Sequence, residues 1–117
     1  MTRCVICGGR DITDKQFVFS SIDNIDKTYH LTTIITGGAR GADFWAHMWA
    51  THNRRDVHVY EADWENEGRA AGMIRNKRML ADSRPDLVIA FPGGRNTDNM
   101  VKISKKAGIP VIEVEEE

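Results

Sequence analysis

Cysteine is nearly missing from this chain: Cys4 and Cys7, both in "RCVICGG", are the only two in 117 residues. No second CxxC and no HxxxH follows, so a four-ligand zinc site lacks half its donors. Along an extended segment, positions 4 and 7 point to opposite faces, which argues against a redox pair. Two buried thiols packing as small hydrophobes is the reading that remains, and neither a metal nor a cofactor is expected.

A dominant charge is missing too. Lys plus Arg number 16 against 17 Asp plus Glu, a net charge of −1. No overall field gathers nucleic acid or an anionic membrane, so any anion site has to be local. No apolar run approaches the roughly 20 residues of a membrane span. The N-terminus has no apolar segment of the secretory kind. A cytoplasmic protein without membrane or nucleic-acid partners is expected. The familiar phosphate-binding signatures are absent as well: neither GxGxxG nor Gly-Lys-Ser/Thr occurs.

What the chain does have is regular alternation. Five short segments rich in Val and Ile read as strands: 4–7, 33–36, 57–60, 87–91 and 110–114. Most lack polar alternation, as expected where a strand is covered on both faces. Helical spacing appears between them. Phe44, Trp45, Met48 and Trp49 form an apolar stripe over 42–53. Ala70, Ile74 (with Met73), Arg78 and Ala81 line one side of 70–81, with Met79 and Leu80 beside them. Met100, Val101, Ser104 and Ala107 do so over 97–107, and Phe17, Val18, Ser21, Ile22 and Ile25 between Asp14 and Tyr29. Ala107-Gly108-Ile109-Pro110 reads as a helix stop leading into a strand. The pattern implies one α/β domain over 1–117: three layers, Rossmann-like, with a mainly parallel sheet of about five strands and helices on both faces. The acidic end Glu115–Glu117 reads as a solvated tail.

Three of the five strands run straight into paired glycines: "CVICGGRD", "TIITGGARGAD" and "LVIAFPGGRNTD". In a parallel sheet these turns share the edge outside the strand C-termini, where ligands of such folds bind. Glycine admits positive φ and close approach, and a helix N-terminus after it offers free N–H groups to an anion. One cradle is therefore expected from Thr36, Gly37, Gly38, Ala39, Gly41 and Asp43. A second comes from Gly93, Gly94, Arg95 and Thr97, with Thr97 or Asp98 as N-cap, and Gly8, Gly9 and Arg10 complete the rim. Asp63 follows the third strand and either accepts from ribose hydroxyls or caps a helix. Trp64 either stacks on a base or packs in the core or an oligomer contact. Arg75, with Asn76 beside it, opens a cationic helix and is placed to pair with a phosphate.

"TGGARGAD", "ADW…EGRAAGMIRNKRML", "PDLVIAFPGGRNT" and "AGIPV" together resemble the YspA-like branch of the SLOG superfamily, over about residues 3–114. That superfamily also holds the Smf/DprA fold and the "lonely guy" phosphoribohydrolases. The resemblance implies a Rossmann-like sheet binding a nucleoside phosphate or an ADP-ribose-like molecule through its glycine loops, as a sensor or sequestering module. The phosphoribohydrolases carry PGGxGTxxE, with the glutamate and a helical arginine as the catalytic pair. Here "PGGRNTDNM" puts Asn96 at the second-turn glycine and Met100 at the glutamate. Arg75 keeps the arginine position, four residues before Met79. A methionine neither activates water nor stabilises an oxocarbenium-like centre. Catalysis by Arg75 with Asp43, Asp63 or Asp98 is the alternative, and a DNA-binding module the lesser one. The wide apolar face of the 42–53 helix leads to the expectation of a homo-oligomer.

Overall fold

Each β-branched run becomes a strand, within two residues of its expected ends. The structure, a computed structural model, describes residues 1–116; Glu117, the last residue of the acidic tail, lies outside them. The strands are β1 (Thr2–Cys7), β2 (Leu31–Thr36), β3 (Asp56–Val59), β4 (Leu87–Ala90) and β5 (Val111–Glu113). The helices are α1 (Lys15–Tyr29), α2 (Ala42–His52), the short α3 (Trp64–Glu67), α4 (Ala71–Ser83) and α5 (Arg95–Lys106). A 3₁₀ turn at Gly68–Ala70 joins α3 to α4. The sequence pattern shows no sign of α3 or that turn, since neither buries a side chain.

All four pairings are parallel, in the order β3-β2-β1-β4-β5. The chain winds outward from β1 through β2 to β3, then crosses back to lay β4 on the other side of β1. The direction reverses between β1 and β4, the place where sheets of this kind hold their ligand crevice. This is a Rossmann-like arrangement.

Two cores sandwich the sheet. On one face α1 and α2 press Val18, Ile22, Ala46 and Trp49 onto Cys4, Ile6, Ile34, Leu87 and Ile89. On the other, Met79 of α4 and Met100 of α5 cover Val5, Ile35 and Val88. Cys4 lies in the first core and Cys7 against the second, as alternation requires. Burial pushes both thiols far up, Cys7 to about 12, so neither is a thiolate at neutral pH.

Four expectations need correction. The 70–81 stripe faces outward: Ala70, Met73, Ile74, Arg78 and Ala81 are exposed, while Ala71, Gly72, Arg75, Asn76, Met79 and Ser83 face inward. Hydrophobic spacing misleads there because the buried face carries polar groups with internal partners. The α2 stripe divides: Trp49 is in the core with Ala42 and Ala46, but Phe44 and Met48 are 48% and 41% exposed. The cap of α5 is Gly94, not Thr97 or Asp98, which lie in the helix's first turn. β3 is not covered on both faces; as an edge strand it keeps only Val57 partly buried.

Candidate functional site

The turns after β1, β2 and β4 are knitted into one rim by main-chain hydrogen bonds. Gly9 N donates to Pro92 O at 2.8 Å, and Ala42 N to Gly9 O at 3.1 Å. Gly41 makes this possible: its φ is +80° and any Cβ would run into Gly9 O. Cβ atoms at Gly8 and Gly9 would likewise meet Phe91 Cβ at 2.7 Å and Pro92 O at 2.8 Å. The paired glycines thus let three loops approach one another. Gly94 differs, since its Cβ would meet nothing within 4 Å, and it faces the cleft.

Behind this rim the crevice between the β1 and β4 loops widens into a cavity of about 610 Å³. Its walls are residues 7–14 after β1, Ala39 and Asp43 from β2–α2, Arg75 and Asn76 from α4, 92–97 after β4, and Glu116. A second cavity of about 500 Å³ adjoins it, walled by Gly37, Gly38, Arg40, Glu61, Ala62 and Trp64. Arg10, Ala39 and Arg75 line both.

Arg75 is the centre of this arrangement. It is only 7% exposed. Its Nε donates to Asn76 Oδ1 at 2.9 Å, and its Nη1 to Gly37 O at 2.9 Å and Tyr60 O at 3.3 Å. Nη2 has no acceptor among the described residues. Gly37 must be glycine because the guanidinium fills the space of its Cβ. Asn76 is fixed in turn, its Nδ2 donating to Asn96 O at 2.9 Å and Asn99 Oδ1 at 3.1 Å. Burial lowers the Arg75 pKa, but an arginine remains charged.

Asp43 stands near Arg75, its carboxylate and the guanidinium both closing on the space beside Gly37; it is 5% exposed, its Oδ2 accepting from Ala39 N at 3.3 Å. Burial raises its carboxyl to about 6, against the opposing pull of that hydrogen bond and of Arg75. At α5 the first intrahelical bond runs from Asp98 N to Gly94 O at 3.0 Å. The N–H groups of Arg95, Asn96 and Thr97 therefore have no helical acceptor, and all three residues line the first cavity. Thr97 is buried, with its Oγ1 against Gly93.

The fold thus brings Gly8, Gly9, Arg10, Ala39, Asp43, Arg75, Asn76, Gly93, Gly94, Arg95 and Thr97 to the first cavity, and Gly37 and Gly38 to the second. Thr36 is buried at the end of β2, where its Oγ1 accepts from Gly38 N at 3.3 Å. Asp63 is not brought in: it caps α3, accepting from Asn66 N at 3.1 Å and Asn66 Nδ2 at 2.9 Å, and these bonds lower its pKa. Asp98 is exposed and lines neither cavity. Met100 is 1% exposed in the core beneath α5. Arg40, Glu61 and Asn99 join the site beyond the residues expected from the sequence. Arg40 stands inside the glycine motif and was open to view; Asn99 shows only through its bond to Asn76. Among the described residues, no three His, Cys, Asp or Glu side chains cluster to hold a metal ion, and no helix is long and apolar enough to cross a membrane.

The sequence pattern of the YspA, cpYpsA-related SLOG family matches residues 2–66. The Gene 61 protein of Mycobacterium phage D29 is 36% identical, over 96% of this chain and 95% of its own length. The backbone superposes on MurG of Acinetobacter baumannii with a TM-score of 0.62 at 9% identity, over 98% of this chain but 35% of MurG. Phosphoribosylglycinamide formyltransferase of Coxiella burnetii is more distant: TM-score 0.46, 11% identity, 81% of this chain and 43% of that one. MurG supports the Rossmann-like fold and nothing further, and the chain spans only about a third of its length.

Proposed function

This chain belongs to the YspA, cpYpsA-related SLOG family, and from that membership we propose that its cleft binds a nucleotide or nucleotide-derived ligand, a nucleoside phosphate or an ADP-ribose-like molecule, as a sensor or sequestering module. The observation that carries the reading is Arg75. A buried guanidinium is costly unless its charge is neutralised. Arg75 has three neutral acceptors and, among the described residues, no carboxylate within salt-bridge distance; Asp43 offsets its charge only from farther off, across the space beside Gly37. A phosphate in the cleft would supply that charge, accepting from Nη2 and from the free N–H groups of α5.

Binding is favoured over hydrolysis by one observation. The position where related phosphoribohydrolases place a glutamate is Met100, buried away from both cavities. Self-association through Phe44 and Met48, which stand one helical turn apart and exposed on α2, is a further part of the proposal. Its test is the mass by light scattering.

Native mass spectrometry of the purified protein, followed by calorimetric titration with nucleoside mono- and diphosphates and ADP-ribose, tests the reading. Binding is expected, and Arg75→Gln should weaken it by tenfold or more. Absence of binding to every such ligand by the intact protein overturns it.

A further inference from the structure

Trp64 belongs to neither core. It opens α3, an element that buries no side chain, and it is 44% exposed. Its ring walls the second cavity together with Arg10, Arg40 and Arg75, against a single carboxylate, Glu61. An open aromatic face among cations is the combination that receives a nucleobase and its phosphate. One face of the ring carries the guanidinium of Arg10, 5.1 Å from the ring centroid. Arg10 makes no salt bridge among the described residues, so a contact that is weak at exposed sites holds it there. Arg10 also lines the first cavity, so it stands at the passage between the two.

We propose that the second cavity is the base-binding lobe of the cleft. Trp64 is its stacking platform, and Arg10 is a cover that leaves the ring for the ligand's phosphate. The inference rests on the nucleotide reading and adds where the base lies. The base takes the place of the guanidinium over the ring. The phosphate then meets Arg10, Arg75 and the loop around Ala39, at the wall common to both cavities. A volume of about 500 Å³ suits one nucleoside, and a chain of net charge −1 lacks the broad basic track of a strand-binding protein. The ligand class is therefore a mononucleotide or a nucleotide conjugate, not a nucleic-acid strand.

The test titrates AMP, GMP, CMP and UMP, the matching nucleosides, inorganic phosphate and a ten-residue oligothymidylate, with calorimetry and tryptophan fluorescence as readouts. Trp64→Ala should weaken the best mononucleotide about tenfold and leave phosphate binding and the unfolding midpoint unchanged, while Trp64→Phe stays within a few-fold of the parent. Arg10→Ala should weaken the nucleotides yet tighten the uncharged nucleosides, because it uncovers the ring. That opposite pair of effects is not produced by a merely structural residue. If phosphate and nucleotides bind through Arg75 but Trp64→Ala binds them undiminished, the lobe assignment falls and the nucleotide reading stands. A lowered unfolding midpoint in Trp64→Ala, or tighter binding of the oligothymidylate than of any mononucleotide, also overturns the assignment. If nothing binds, both readings fail together.

Discussion

Asn76 Oδ1 accepts a hydrogen bond from Nε of its own neighbour, Arg75, at 2.9 Å. Adjacent helical residues diverge by about 100°, yet both are buried here, and the amide fixes the Nε end of the guanidinium. Asn76→Ala strands a buried Nε–H. It should lower stability by about 1–3 kcal/mol and weaken phosphate binding although Asn76 keeps no charge. Arg75→Lys retains the charge but not the fork that reaches Asn76 and Gly37 together, and should bind no better than Arg75→Gln. Urea unfolding and calorimetry on the three variants decide both points.

The pH profile should carry two opposite slopes. Burial raises the Asp43 pKa to about 6, so its favourable contribution is complete below the ordinary carboxylate value near 4 and is lost as pH rises through about 6. Asp43→Asn, which keeps an acceptor for Ala39 N, should stabilise the protein at pH 7.5 by up to about 3 kcal/mol and have little effect at pH 4. Asp26 has the reverse sign. The side-chain bonds from Arg55, at 2.8 and 3.1 Å, lower its pKa, so its contribution is present above the ordinary value and lost as pH falls. Sulfate, whose charge is constant from pH 5 to 8, should bind more tightly at pH 5 as Asp43 is neutralised. Chemical unfolding and sulfate titrations across that range check these signs.

Glycines of one rim should respond differently to alanine. Gly94→Ala adds a methyl to open space and should cost about 1 kcal/mol or less, while weakening phosphate binding if the ligand lies against α5. Gly41→Ala meets a positive φ and the oxygen of Gly9 together and should cost more than about 2 kcal/mol. Gly38→Val is a poor probe of binding alone: φ is +71° and the added Cβ would meet Val59 Cγ1 at 2.7 Å. Thermal unfolding beside ligand titration separates the two effects.

Met100→Glu, even with Asn96→Gly, should not create a nucleotide hydrolase. Its carboxylate would enter the core among Val5, Ile35, Met79 and Val88, costing roughly 3–5 kcal/mol as an unpaired buried charge. A falling melting temperature with no release of free base from AMP or CMP is the expected result. Robust base release by a folded double variant would contradict it.

The strands and the glycine edge were legible in the sequence because β-branched runs and paired glycines are local signals. The inward face of α4 was not. Arg75 and Asn76 are buried only because Gly37, Tyr60, Asn96 and Asn99 supply their partners from elsewhere in the chain, and no local pattern contains that. The reason for the glycines was half legible. Gly94 keeps open space beside the cleft, but Gly9 and Gly41 are needed for contact between loops 32 positions apart, a distance only the fold removes. Asp63 had two readings, and its bonds to Asn66 favour the cap.

The segment from Asp63 to Ala70 has no side chain in either core, although its Trp64 lines the second cavity. On the proposed reading, the residue that stacks on the base therefore lies apart from the residues that pack the cores. A lineage can exchange Trp64 while the packing of Trp49, Met79 and Met100 continues undisturbed. On the proposed reading, a change in the preferred base is then open to it at a nearly constant melting temperature.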